Sequence, residues 1–488
     1  MKKILAFTLT LMLLVGMLGC TAKTDAPTDQ SAVYAGTFRV GFGRSFITPE
    51  ENLPLGGYGT SSTRIMNDVL DDTFVTTIAM TDENDYTVLL MLVDLQRIED
   101  SLIDMLRMSV TGATGIPGSQ IIITCSHTHS IPDLLLDSHE GIARYKQLLL
   151  ERFAESAAAA MEDRLPATMY TGSIEAQGLN FVKHYQYVDE NGVVQYFGDN
   201  FGTATMDATT QHVTEAYDAM HLLQFKREGG KDIIISNFRS HPTITGGATL
   251  LDLSSDFIGP MREIVETELD CHFAFMQGAC GNINPRSRIS GENVVLDKNH
   301  RDYGNRLAQV ALEGIETAME QQETGKLQSE QIIYSAKVDH SQDHLLPYVP
   351  LVQEYHKQNG GDHAATRAYG APYGISSNYH AGAIRIKSKL AQTQDIELST
   401  ISIGTSVGFF AAPGELFDQV SVEMEASSPF KMTFTIGFAD GDWKYFPYGP
   451  CAEYASYESD YGRFEYNTAV GMMQAWNTSL EALYEGAE

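Results

Sequence analysis

The chain has 488 residues, with 63 Asp plus Glu against 33 Lys plus Arg, a formal net charge of −30, 43% apolar residues and 20% charged ones. That is enough for one large globular domain or two fused lobes, and 42 Gly with 16 Pro over this length exclude collagen-like and wholly disordered chains. A surface so acidic repels phosphate backbones and argues against nucleic acid as a partner.

The N-terminus comes first. Lys2 and Lys3 are followed by the apolar run Ile4 to Leu18, then by Gly19 and Cys20, the layout of a cleavable secretory signal. Met17-Leu18-Gly19-Cys20 also resembles the lipobox of bacterial lipoproteins, which implies a signal over residues 1–19, a lipidated Cys20, and a polar tether over residues 20–35 leading into a folded domain over residues 36–488. The expected location is the cell envelope, outside the cytoplasm, with the membrane reached through the lipid. No later apolar run approaches the ~20 residues that span a bilayer.

From there strand-like and helix-like segments alternate. Strands are predicted at Thr37 to Phe42, Thr73 to Met80, Thr87 to Val93, Gln120 to Cys125, Ile233 to Phe238, Phe273 to Met276, Gln331 to Val338 and Glu397 to Phe410. Helices are predicted at Ser101 to Ser109, Ile142 to Glu162, Phe257 to Leu269, Tyr303 to Gln322 and Leu416 to Ala426. This pattern predicts an α/β fold, a mixed or mainly parallel sheet with flanking helices. His340 to Ser377, rich in Gly, Asp, His and Tyr, reads as a long excursion that forms a rim or lid.

Three predicted strands discharge into candidate metal donors. Ile121 to Cys125 runs into Ser126-His127-Thr128-His129-Ser130; if the backbone stays extended, His127 and His129 point into one cavity. Ile233 to Phe238 runs into Arg239-Ser240-His241-Pro242, and Ile401 to Phe410 into Ala411-Ala412-Pro413-Gly414-Glu415. The carboxyl ends of strands are where open α/β sheets hold ligands, and imidazole plus carboxylate is the usual donor set of a catalytic zinc. Glu415 also stands beside a predicted helix start, where the helix dipole favours an acid without any metal. Cys125, Cys271, Cys280 and Cys451 form no CxxC and no dense framework, so a metal here must use His, carboxylate or phenol.

Taken in order, Val40-Gly41-Phe42-Gly43-Arg44, Ile47-Thr48-Pro49, Gly56-Gly57-Tyr58-Gly59, Val93-Asp94-Leu95, Ser126 to Ser130, Ser240-His241-Pro242, Gln277 to Pro285 and Pro413-Gly414-Glu415 resemble the catalytic domain of neutral/alkaline ceramidases, zinc amidases that cut the N-acyl bond of ceramide. The resemblance runs from about Gly36 onward. It implies a ceramidase-like fold without the immunoglobulin-like domain that follows in that family, and Zn2+ held by His127, His241, Glu415 and Tyr445, with Tyr448 the second choice for the phenol. It further implies that His129 works beside the zinc water as acid and base and that Tyr457 donates to the developing oxyanion.

The departures are as informative. Where ceramidases carry a Ser with a catalytic role, the chain has Asn284, and the family's active-site Arg has Lys183 as its nearest counterpart. The expectation is a lipid-anchored zinc hydrolase that cleaves an amide, or an ester, of a small-molecule or lipid-like substrate through a zinc-activated water. Asn284 orients rather than attacks. The alternatives are a true ceramidase that manages without the Ser, and a binding lipoprotein without turnover. An amidohydrolase barrel fits less well: it needs its HxH at the first strand and a ligating Asp near the last, whereas His127 comes late and Glu415 replaces the Asp.

Overall fold

The computed structural model describes residues 36–58, 61–198, 207–292, 299–321 and 325–488. The expected signal, Cys20 and the tether lie outside the described residues. No helix among those described is long and apolar enough to cross a membrane.

Eight strands make the path of the main sheet: β1 (Arg39–Phe46), β2 (Phe74–Thr81), β3 (Thr87–Val93), β4 (Ile121–Cys125), β5 (Leu165–Glu175), β6 (Ala219–Arg227), β7 (Ile233–Phe238) and β8 (His272–Gln277). Their spatial order is β8-β7-β6-β5-β1-β2-β3-β4, and Met319–Gln321 pairs with β5 as a ninth strand. Only β3/β4 and β7/β8 are parallel, so the sheet is mixed but mainly antiparallel. A second sheet, in the order β9 (Leu327–Lys337), β10 (Thr393–Ile403), β11 (Val407–Ala411) and β12 (Met432–Ile436), ends in a third parallel pair, β11/β12.

Four layers result. Alternate side chains of the main sheet, Val75, Ala79, Leu89 and Met91, pack under α1 (Asp100–Thr114) and α2 (Glu140–Glu162). Those of its other half, Leu222, Ile234 and Phe273, pack under α3 (Ile258–Leu269) and α4 (His300–Glu316). The opposite face, with Ile78, Leu90, Ile122 and Ile235, meets Ile401, Phe409 and Phe434 of the second sheet. The outer face of that sheet is closed by α5 (Asp418–Ser427) and α6 (Thr468–Ala487), whose Trp476 stands against Phe410. Covered on both faces, β3 is buried at every residue and reads as a continuous apolar run. Gly43 lets α2 lie on β1: a Cβ there would come 1.9 Å from the Ser156 carbonyl oxygen.

Three predicted elements change. Glu397 to Phe410 is two strands joined by the turn at 404–406, paired antiparallel; Ser399, Thr400 and Ser402 make the first arm as polar as the Gly404-Thr405-Ser406 turn, which hides the reversal. The helix predicted to Gln322 ends at Glu316, since Met319–Gln321 is taken up by the edge of β5. The excursion is helical rather than loose: Val349–Gln358, His363–Gly370 and Asn378–Lys387 share a small core of Leu345, Val349, Val352, Ile375, Ala381 and Ile384.

The parallel pairs position the site. Each is a β-α-β unit, β3-α1-β4, β7-α3-β8 and β11-α5-β12, and the segments carrying His127, His241 and Glu415 leave strands of the three units at their carboxyl ends. Although β4 and β8 are the opposite edges of the main sheet, they meet across segment 437–440: Gly437 N–H donates to Gln277 O (2.9 Å) and Cys125 N–H to Phe438 O (3.2 Å).

Candidate metal centre and cleft

The extended strand stops at Cys125, and His127 is left-handed (φ 67°). The expectation that His127 and His129 share the face of an extended strand is therefore corrected: a turn in a sparsely populated backbone region brings the rings together. They stand edge to face, with centroids 4.9 Å apart. Phe438, itself at φ 52°, stacks on the His127 ring at 3.8 Å, and its N–H donates to Gly414 O (3.1 Å), so one residue orients His127 and the loop before Glu415.

The donor atoms converge. His127 Nε2 lies 3.1 Å from His241 Nε2, 3.2 Å from His129 Nε2 and 3.7 Å from Glu415 Oε2. Nδ1 of His127 donates to Gln96 O (2.7 Å), and Nδ1 of His241 to Cys280 O (3.1 Å). Each neutral ring has one proton, and these two are committed to carbonyls, so both Nε2 atoms present bare lone pairs to each other. Two facing lone pairs attract only through a cation between them. Glu415 Oε2 is likewise buried without a hydrogen-bond partner among the described residues. The imidazoles of His127 and His241, both buried, and of the half-buried His129 lie close enough to one another to hold a metal ion, and Glu415 stands beside His127.

Local structure explains each placement. Glu415 pairs in register with Tyr445 across the parallel two-residue strands Glu415–Leu416 and Tyr445–Phe446, and the Tyr445 hydroxyl hydrogen-bonds to its carboxylate. The following helix starts at Asp418, not Leu416, so Glu415 stands outside it and the helix-dipole explanation does not apply. Gln277 Nε2 donates to Ser126 O (3.0 Å) and Ser240 O (2.9 Å), tying the two histidine loops together. Asn282 exchanges hydrogen bonds with Asp418, Nδ2 to Oδ1 at 2.7 Å and Asp418 N–H to Oδ1 at 2.8 Å, and so holds the segment beyond Glu415. Gly57 (φ +105°) touches His129 so closely that a Cβ would lie 2.5 Å from the His129 Cβ.

The electrostatics match a site built for a cation. Burial, then the facing His241, pushes His127 well below the ordinary imidazole value; burial does the same to His129. His241 falls to about 3 through burial and the nearby Lys183. Without a cation, burial lifts Glu415 to about 7, against the pull of Lys183 and the Tyr445 hydroxyl. Tyr445 and Tyr457 rise well above the usual phenol value through burial and remain protonated donors.

These residues floor a cleft of about 710 Å³, whose walls include His129, Asn284, Lys183, Tyr457, Arg97 and Arg367. Asn284 sits on Ile283–Asn284, paired with Phe181–Val182, one residue before Lys183. Lys183 forms a buried ion pair with Glu458 at 2.9 Å, beside Tyr457. His363 and Arg367 of helix His363–Gly370 line the opening, so the excursion does form a rim. Tyr448 lies away from the cleft, its hydroxyl donating to Glu423 at 2.7 Å. Sequence reasoning did not find Phe438 or Arg97 and gave Gln277 no role; the Gly-Phe-Ala-Asp-Gly turn at 437–441 was the available signal for the first.

No protein-family model and no curated protein matches the chain. Among solved structures, the crystal structure of neutral ceramidase from Pseudomonas aeruginosa is similar over 92% of this chain and 75% of its own, at 15% identity and a TM-score of 0.66. A ceramidase complexed with C2 is similar over the same shares at 15% identity, with a TM-score of 0.67. The fold is therefore ceramidase-like.

Proposed function

We propose that the protein is a zinc-dependent hydrolase of amide bonds, with esters as poorer substrates, exported and held at the membrane by a lipid on Cys20, its residues 36–488 forming the hydrolase domain. The observation that carries the reading is the pair of imidazole lone pairs facing each other at 3.1 Å, each ring oriented by a carbonyl, with an orphaned carboxylate oxygen beside them. Anchoring of the distal nitrogen is how ligating histidines are held. His127, His241, Glu415 and Tyr445 would hold the ion. A zinc ion in such a donor set, with one position open, supplies Lewis acidity and makes water nucleophilic near neutral pH.

The chain's own groups do the rest. Nδ1 of His129, unlike that of its neighbours, has no hydrogen-bond partner among the described residues, so its tautomer is free to change. A ring held neutral by burial takes the proton of the attacking water and returns it to the departing nitrogen as the C–N bond breaks. The Tyr457 hydroxyl donates to the acyl oxygen as negative charge develops there. Asn284 offers an amide donor and acceptor to the substrate, and no nucleophile, so turnover proceeds without an acyl-enzyme. A cleft whose walls include Arg97, Lys183 and Arg367 suits a substrate more polar than ceramide, because packing a long alkyl chain against charged side chains costs their solvation.

The test is metal analysis of the purified protein and of His127→Ala and His241→Ala, with hydrolysis of a panel of N-acyl amides, esters and ceramide before and after chelation. One zinc per chain, lost in either variant, and amide cleavage restored by zinc are expected. Full zinc in both variants would overturn the site, and strong ceramide cleavage would overturn the substrate reading.

A further inference from the structure

We infer, on the hydrolase reading above, that the substrate carries an anionic group beside the scissile bond, a carboxylate by preference, and that Arg97 is the residue that recognises it. Arg97 follows Gln96, whose carbonyl accepts from His127, so its backbone flanks the donor cluster, and its side chain lines the cleft. Its Nε is buried and makes no hydrogen bond among the described residues, although Asp442 Oδ2 stands 3.5 Å away. That same Asp442 oxygen accepts from Lys444, another cleft residue, so one carboxylate serves two cations. Asp133 and Glu415 also act on the Arg97 charge, but Glu415 belongs to the donor cluster.

By contrast, Lys183 is fully answered by Glu458 at 2.9 Å. Arg367 faces the cleft from the rim helix, and Tyr461 and Tyr379 add polar aromatic faces. A cation-bearing wall runs against the grain of a chain with a net charge of −30. With Nε turned to Asp442, the terminal N–H groups of the planar guanidinium are the part left to meet a carboxylate in the cleft through charged hydrogen bonds. The chemistry therefore points to N-acyl amino acids, in which the carboxylate sits one carbon from the amide nitrogen.

Two matched pairs test this: N-benzoylglycine against N-benzoylglycinamide, and N-decanoylglycine against its amide, each differing only in the anion. With zinc-loaded protein, kcat/KM should favour the carboxylate by about 10- to 100-fold, as expected for hydrogen bonds to a charged group. The preference should collapse in Arg97→Met and return in part in Arg97→Lys. Calorimetric binding of the same four compounds to metal-free protein runs alongside. Equal cleavage of both members, or a preference that survives Arg97→Met, overturns the assignment while the hydrolase reading stands. Arg97-dependent binding of the carboxylates without any turnover keeps the anion site and brings the hydrolase reading down. Neither binding nor preference for the anion in either acyl series overturns the assignment.

Discussion

The Gln277 side chain joins two histidine loops that lie more than a hundred residues apart in the chain. In Gln277→Leu, of similar volume, two hydrogen bonds disappear and the carbonyls of Ser126 and Ser240 lose their donor in a buried setting. Each lost bond costs about 1 kcal/mol net, and each orphaned acceptor adds to that, so the metal-free protein should lose about 2–4 kcal/mol. Because the loops carry His127 and His241, metal binding should weaken as well, by about 10- to 100-fold, the usual cost of removing a group that orients ligands. Urea unfolding in chelator reads the first quantity, and competition with a chromophoric zinc chelator reads the second. Gln277→Glu should be worse, since a carboxylate offers two acceptors to two acceptors. If Gln277→Leu unfolds within about 0.5 kcal/mol of the native protein and binds zinc equally well, the two loops are held together by something other than this side chain.

In Gly57→Ala the new Cβ collides with His129 at a φ of +105°, so activity should fall at least about tenfold with zinc content unchanged; loss of zinc would show that His129 is a ligand rather than the proton carrier. Glu458 is driven below its ordinary value, the attraction of Lys183 and His184 overcoming burial, so its stabilisation is present above the unfolded carboxylate value of about 4.3 and is lost as pH falls through and below it. The stability gap between the native protein and Glu458→Gln should therefore narrow between about pH 5 and pH 3, and a gap constant over that range would remove the ion pair as its cause. Asn284→Ser should not create a burst of acyl-enzyme, and Asn284→Ala should raise KM or lower kcat without changing zinc content; unchanged kinetics with a lowered melting temperature would make Asn284 a turn residue only. Cys20→Ser should abolish lipidation and release the protein from membranes, an outcome read by fractionation and N-terminal mass.

Much of the fold was legible because its core strands are buried on both faces. Thr87–Val93 and Ile233–Phe238 form as expected, to the residue: the first is apolar from Val88 to Val93 and the second opens on Ile233-Ile234-Ile235, whose β-branched side chains fit a covered strand better than a helix. The hairpin at 404–406 was concealed differently: Ser399, Thr400 and Ser402 are buried within the first arm, so the polar Gly404-Thr405-Ser406 does not stand out as a turn. β5 and β6 were missed for another reason. Lys226 and Arg227 close one, and polar residues interrupt the apolar positions of the other, so propensity is weak and the pairing of nine residues across the two supplies the specificity.

For the site, the sequence held the donors but not their convergence. His127, His241 and Glu415 each follow a strand that any reader would draw, and β-α-β geometry sends strand ends to one side of a sheet. What brings β4 and β8 together is segment 437–440, wedged between two edges of one sheet, and nothing local to Gly437 or Phe438 announces that their partners are Gln277 and His127. The consequence bears on specificity. Donor residues must satisfy an ion and have little freedom, whereas Asn284, Lys183 and Arg97 face the cleft from segments whose backbone is fixed by other contacts. On the proposed function, substitution at Asn284 or Arg97 should alter substrate choice more than metal affinity, whereas Lys183, paired with the buried Glu458 and acting on His241 and Glu415, is bound up with the donor cluster itself.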